Sequence, residues 1–387
     1  MTRSPRRCRI RPVRRGIALF VALVALLLVA FLAVASMHLA HADFRRARDE
    51  GTMRRAVNAA DAGAYDVLRS WPATPHEALP IGTTIGPDTL SLPGSSAERW
   101  LTRLTRTVWW SVSTGSAGDS SQRTLARRTA SVAYRLAIPT VAANAALIAR
   151  DSVTLAGSAR VVGTDTSLAA WAGLCAPVSH SAAVAMPDTT HLCDGACGAG
   201  SGARVMGLPA LATDSSAALA SRYTVFGGET WASLTRRATI VVPPGGIVTP
   251  GAVLAGGQCD RTASTNWGDP GGVGPCASYA PLIWARGDVE LRGGAGQGVL
   301  LVDGDLTLSA GARFAGVVIV RDDLNSSGIG GTLLGLALVG DRHVAAGDHT
   351  TLDGQTLVQR SRCAIDLALE RAAPLVRVAR RSWAQFR

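Results

Sequence analysis

Four aspartates recur at matching places in the second half of the chain. They are Asp288 after Ala285-Arg-Gly, Asp305 after Val302-Asp-Gly, Asp323 after Val320-Arg-Asp and Asp341 after Val339-Gly. If the segments carrying them stack, the carboxylates form a column with a spacing of about 5 Å. Such a column could bind Ca²⁺ or perform acid–base cleavage of polysaccharide. The same residues are also ordinary turn chemistry, because Asp next to Gly caps the backbone of a corner. Arg286, Arg321 and Arg342 lie beside them and can neutralise them without a metal. The turn reading is preferred, and no catalytic residue is assigned.

The cysteines are the next reactive set. Apart from Cys8 there are six: Cys175, Cys193, Cys197, Cys259, Cys276 and Cys363. An even number in a chain with an export-like start reads as three disulfides, with fifteen possible pairings. Cys259 with Cys276 is the favoured local bridge, across a Gly/Pro-rich loop. A metal site built on His191, Cys193 and Cys197 lacks a second half, so no metal is expected. His38, His41, His180, His343 and His349 have no spaced partners. Gly293-Gly-Ala-Gly296-Gln-Gly298 leads into an apolar strand and not a helix, so it has no helix N-terminus for a pyrophosphate. Phosphate-loop, nucleophile-elbow and zinc-helix signatures are missing. The expectation is a non-enzymatic protein without cofactor.

The elements that carry these residues form a repeat. Aligning Ala285, Val302, Val320, Val339 and Val358 gives steps of 17, 18, 19 and 19 residues. Each step has a short apolar strand, a Gly/Asp corner and a second short strand, which suggests the rungs of a parallel β-solenoid. An outlying copy at Ala145–Ala149 places the start of the solenoid near residue 145. Residues 165–280, which hold five of the six cysteines, then read as a disulfide-pinned insertion. Short helices are expected at 215–220 and 231–236, and a strand at 239–242. Residues 364–371 read as an amphipathic helix capping the last rung. The apolar tail from Trp383 to Phe386 can dock, for instance on its own head.

The N-terminal half of the chain is organised by residues 14–71. Residues 17–37 are apolar, and about twenty residues at 1.5 Å each span roughly 30 Å of hydrocarbon. Ile17, Leu23, Leu27, Phe31 and Met37 mark this span. A charged, Ala-rich helix continues to Trp71, where Pro72 stops it. Along it Phe44, Ala47, Gly51, Val57, Ala60, Ala64, Val67, Leu68 and Trp71 make one small or apolar face. Residues 72–98, with five prolines, read as loop. Residues 106–113, including Trp109-Trp110, and 129–138 read as a hairpin packed on the helix, its tryptophans filling the interface.

The net charge of +11 does not point to nucleic acid. Seven of those charges are arginines of the leader 1–16, and no basic cluster with interleaved aromatics follows. Those arginines favour a cytoplasmic N-terminus. Ala40-His41-Ala42 offers a signal-peptidase site after Ala42 as the rival processing route.

Arg14-Arg15-Gly16-Ile17-Ala18-Leu19, the leucine-rich span and the Ala helix with Asn58-Ala-Ala-Asp-Ala-Gly63-Ala64 resemble the start of PilX-type minor pilins. They are also similar to the K-type minor pseudopilin of type II secretion. The resemblance covers about the first seventy residues. It implies cleavage by prepilin peptidase between Gly16 and Ile17. Val21 stands where major pilins carry a glutamate, which implies a minor subunit. The implied protein sits in the inner membrane and assembles through its helix with other pilin or pseudopilin subunits. Its head, periplasmic or extracellular, would serve initiation, adhesion or display.

The whole reads as α+β. The order is a leader (1–16), a transmembrane helix (17–42), a polar stalk (43–71), a linker and β-hairpin region (72–140), a solenoid-like head (141–363) and a C-terminal helix and tail (364–387). The rivals are a secreted β-solenoid enzyme acting on polysaccharide and a solitary membrane-anchored surface protein.

Overall fold

The computed structural model describes residues 15–71, 79–118, 124–171, 174–175, 180–194, 196–197, 204–342, 349–378 and 383–386. The arginines before Arg15, Cys8, Pro72 and His343 lie outside these. The protein is α+β: a long N-terminal helix followed by a mostly β head with disulfides.

Helix α1 (Arg15–Ser70) runs unbroken for 56 residues, about 84 Å at 1.5 Å per residue. No proline interrupts it, and its Leu, Ala and Arg are strong helix formers. Four antiparallel strands follow: β1 (Thr84–Leu92), β2 (Ser95–Arg103), β3 (Val108–Gly118) and β4 (Thr124–Leu136). The expected loop at 72–98 is therefore too long, and the expected hairpin is the middle pair of a larger sheet. Pro87 and Pro93 hid β1 and the start of β2. Both are tolerated because β1 is the sheet's edge and Pro93 sits in the turn after it. The tail docks on the head by strand pairing: Leu375–Arg377 and Trp383–Phe386 both add antiparallel to β4.

The rest of the head is built on parallel ladders. Leu282–Ala285, Ala295–Val302, Ala312–Val320 and Gly331–Val339 pair in succession, so that Ala285, Val302, Val320 and Val339 stand in register as the repeat requires; Val358 does not follow them, since it pairs with Leu333 and Ala149 takes the place opposite Val339. A second ladder runs through Gly246–Val248, Val289–Arg292, Leu306–Ser309 and Leu324–Ser326. Leu300, Val302, Val318 and Val320 face a core shared with Leu291, Leu306, Leu308 and Leu324 of the second ladder. Val299, Leu301, Val317 and Ile319 face the other way, into a second core. Burial on both sides explains why these segments are continuous apolar runs without alternation.

One glycine column shapes the first ladder. Gly298, Gly316 and Gly335 pair with one another, at φ +124, +142 and +143°. A Cβ at Gly335 would lie 1.9 Å from the carbonyl oxygen of Gly316. Only glycine allows the long strands to bend there in register.

The order of rungs differs from the order of the sequence. Ala145–Ala149 stacks on Gly331–Val339, with Ile148 beside Leu338, and not ahead of the Ala285 rung. Ala182–Met186 and Leu211–Thr213 extend the ladder beyond it. At the opposite end Ile240–Val242 pairs with Leu282–Ala285. Residues 165–280 therefore supply rungs at both ends and are not a simple insertion. The local period sets the frame within each half but does not record how two distant halves join.

Between Thr213 and Ile240 the chain returns along the ladder's outer flank. Its 3-10 turns Ser215–Ala218 and Ala220–Tyr223 and helix α2 (Trp231–Arg236) bury Ala217, Tyr223, Trp231 and Leu234 in the second core. Helix α3 (Arg362–Ala372) lies on the same flank, with Ile365, Ala368 and Leu369 in that core. It does not cap the last rung. An outer flank of exposed Val and Leu needs a cover more than a rung end does.

Candidate functional site

The part of the molecule with a functional signature is α1, because its two halves are treated oppositely. From Ile17 to Phe44 the apolar side chains are bare among the described residues: Ile17, Leu23, Leu27, Phe31 and Met37 are 55–72 % exposed. This segment is long and apolar enough to cross a membrane, which makes it a candidate anchor or signal. From Thr52 onward the helix is embedded in its own sheet. Thr52, Ala56, Ala59, Ala60, Ala64 and Val67 are fully or nearly fully buried. Of the face read from sequence, Phe44, Ala47, Gly51 and Leu68 stay exposed; the seated face begins at Thr52.

The seat is graded by side-chain size. The inward positions of β3 are Trp109, Ser111, Ser113, Gly115 and Ala117. At Gly115 the helix approaches so closely that a Cβ would lie 2.2 Å from the Ala56 carbonyl oxygen and 2.3 Å from the Ala60 nitrogen. Higher up, Gly63 returns the favour: a Cβ there would meet the Ser113 hydroxyl at 2.2 Å and the Ala97 methyl at 2.8 Å. Over these two helical turns, strand backbone therefore packs on helix backbone at Gly115, and helix backbone packs on the small side chains of Ser113 and Ala97 at Gly63. Beyond them the gap widens and is filled by Trp109, which meets Trp71 edge-on at 5.1 Å, with the Arg103 guanidinium over its ring. Trp110 points to the opposite side and is 40 % exposed, so only one of the two tryptophans fills the interface.

Polar contacts fix the helix along its axis. The Tyr134 hydroxyl donates to the Ala64 carbonyl at 2.7 Å in a buried setting. Burial pushes this phenol well above its ordinary pKa, so it remains a neutral donor. Arg99, nearly buried, donates to Asp66 of the helix at 3.0 Å and to Asp88 of β1. Gly115, Ser111, Ser113, Tyr134 and Arg99 were not singled out from sequence. The signal was available as an alternation of small residues, Ser111-x-Ser113-x-Gly115-x-Ala117, facing an Ala-rich helix.

No protein-family model matches the chain, and no curated protein matches it in sequence. Among solved structures it is similar to the competence-associated pilin ComZ from Thermus thermophilus, over 87 % of this chain and 97 % of that one. The identity is 12 % and the TM-score 0.25, a level that does not establish a shared fold.

The other candidate sites have structural explanations. Asp288, Asp305 and Asp323 follow one another along the ladder, and the first two hold backbone: Asp288 Oδ1 accepts the Asp305 N–H and Asp305 Oδ1 accepts the Asp323 N–H, both at 2.9 Å, while Asp323 Oδ1 accepts from the Thr350 hydroxyl at 3.3 Å. Asp341 is buried at a left-handed φ of +39°. Among the described residues no group of three or more His, Cys, Asp or Glu could hold a metal ion. Cys175 is bonded to Cys363, joining a loop before the Ala182 rung to the start of α3. Cys259 is bonded to Cys276. Cys193 is disulfide-bonded, and the backbone of Cys197 lies opposite it across a tight antiparallel pair. Gly293 and Gly294, both at positive φ, form the turn, and Ala295–Gly298 are already the start of the strand Ala295–Val302.

Proposed function

We propose that the protein is a minor pilin-like subunit of a type IV pilus or type II secretion pseudopilus. In this reading residues 17–42 cross the inner membrane with the N-terminus cytoplasmic. Prepilin peptidase cuts between Gly16 and Ile17, and the exposed half of α1 later packs among the helices of other pilin or pseudopilin subunits. The β-solenoid-like head then stands on the fibre or its tip for initiation, adhesion or display, as a structural and not a catalytic part.

One observation carries the reading. A single helix is bare and apolar over its first half and backbone-tight against its own sheet over its second. A cleavable signal has no need of rigid continuity with the folded head. A subunit that transmits position from a membrane-embedded helix to a projecting head requires it. Asp288 and Asp305 support the structural role, since Oδ1 of each accepts a backbone N–H of the next strand corner.

The test is the mature N-terminus, together with co-purification of the protein with sheared fibres. A chain starting at Ile17 and found in the fibre fraction is expected. A chain starting at Asp43 and free in solution overturns the proposal and leaves the secreted reading. A chain that keeps its helix in the membrane but never crosslinks to pilin subunits leaves the solitary-anchor reading.

A further inference from the structure

Where α1 enters the head, a cleft of about 730 Å³ opens between the helix and the lower rim of the sheet. Its helix wall is Arg48, Thr52 and Arg55, spaced so that all three face the sheet. Its other walls are the turn of β1 and β2 with Ser95 and Ser96, and the ends of β3 and β4 with Ser116 and Thr124. This rim is the one nearest the apolar span, because β3 runs antiparallel to the helix: Gly115 lies beside Ala56 and Ser113 beside Gly63.

Among the described residues the lining carries charge of one sign: none of them is a carboxylate, and neither Arg48 nor Arg55 has a carboxylate partner among them. Two other arginines of this stretch are matched: Arg46 pairs with Asp43 at 3.9 Å, and Arg54 with Glu50. Arg55 already donates to Thr52 Oγ1 at 3.3 Å and stands over the Gly94 turn, so its guanidinium is aimed into the cleft.

Position supplies the ligand. Residues 17–42 are about 39 Å of helix, longer than roughly 30 Å of hydrocarbon, and such a span is accommodated by tilt. Tilt lowers one side of the head onto the bilayer. Arg48 is four residues past the exposed Phe44, about 6 Å along the axis, within reach of the phosphate layer for a side chain of that length. Guanidinium groups grip phosphate through paired N–H donors, and the surrounding hydroxyls can donate to the remaining oxygens.

We propose that this cleft binds the head group of an anionic phospholipid and so fixes the tilt of the head on the membrane. The inference rests on the membrane-inserted reading above. The test uses the full chain in detergent micelles, with phosphatidylglycerol or phosphatidylcholine added and retained lipid counted by native mass spectrometry. Two arginines at an anionic surface predict a preference for phosphatidylglycerol of roughly thirtyfold. Arg48→Gln with Arg55→Gln is expected to abolish the preference, and thermal unfolding checks that this variant folds, since both residues are exposed. Arg46→Gln with Arg54→Gln removes the same charge outside the cleft and is expected to keep the preference.

Equal retention of the two lipids by wild type overturns the proposal, as does equal loss in both double variants. Displacement of the lipid by glycerol phosphate, with no acyl chain, at matched concentration also overturns it and makes the site one for soluble phosphate. Failure of membrane insertion shows separately, as absence from the membrane fraction of cells, and overturns the parent reading with it.

Discussion

Replacing Gly115 by alanine places a methyl group where the structure has the backbone of α1. The new Cβ would stand 2.2 Å from the Ala56 carbonyl oxygen, against an ordinary contact of 3.4 Å or more. Both partners are backbone atoms, so no rotamer change relieves the clash. The helix must rise off the sheet by about 1 Å, and overpacking of that kind costs about 1–3 kcal/mol. The same rise stretches the 2.7 Å bond from Tyr134 to Ala64, worth about 1 kcal/mol. The lower chain entropy of alanine offsets less than about 1 kcal/mol. The net loss of roughly 2–3 kcal/mol corresponds to a Tm lower by about 3 °C for a chain of this size. Thermal unfolding of the full chain in detergent reads this, and hydrogen exchange across α1 locates it, with faster exchange expected from Thr52 to Val67. Gly51→Ala is the control on the same helix. Nothing lies within 4 Å of a Cβ there, so its Tm should hold or rise slightly. An unchanged Tm for Gly115→Ala, or an equal fall for Gly51→Ala, refutes the view that the seat is built on backbone contact.

Further outcomes follow from other parts of the structure. Arg99→Ala removes the partner of Asp66 and Asp88; a loss of about 2 kcal/mol is expected in chemical denaturation, because Asp66 keeps Arg69. Asp305→Ala deletes the acceptor of the Asp323 N–H and should cost about 1 kcal/mol, whereas Asp305→Asn keeps an oxygen and should cost less. Ca²⁺ should leave the Tm of wild type unchanged; a rise would restore the metal reading of the column. Replacing Cys175 and Cys363 by serine opens a loop of 188 residues and should cost more, about 3–5 kcal/mol by denaturation, than opening the 17-residue loop at Cys259 and Cys276, about 3 kcal/mol. Asp214 is pushed up by burial, but hydrogen bonds from Ser216 and Asn144 and the charge of Arg222 outweigh this and hold its pKa below the usual range. A depressed carboxylate stabilises the fold above its unfolded pKa and loses that contribution as pH falls through the folded value. The turn at 214–222 should therefore loosen at pH below the usual Asp range, and Asp214→Asn should flatten the dependence when stability is followed against pH.

What could be read from the chain and what could not divides along physical lines. The rod was legible because Ile17–Met37 and the Ala helix carry strong local signals with no breaker before Pro72. The rung frame was legible because Val302, Val320 and Val339 recur in nearly equal steps with a corner after each. Strand β1 was missed because its alternation is broken by Pro87 and its side chains are mostly exposed, so it has the composition of a loop. The seat was missed because close packing of backbone leaves only small residues such as Ser113, Gly115 and Ala60, and small residues are not distinctive one at a time. The joining of Ala145–Ala149 to Gly331–Val339 depends on surface matched across nearly two hundred residues, which no local pattern records.

That joining has a consequence for how the molecule is made. A ribosome or a secretion channel delivers Ala145–Ala149 long before its neighbour Gly331–Val339, so the early strands wait with an open flank. The late-delivered stretch must slot between segments already outside. Its last pieces, Cys363 and the strands that clasp β4, close the structure at several points together. A prematurely ended chain would thus carry raw sheet edges in its middle and not at its tip, and quality-control proteases would find it there.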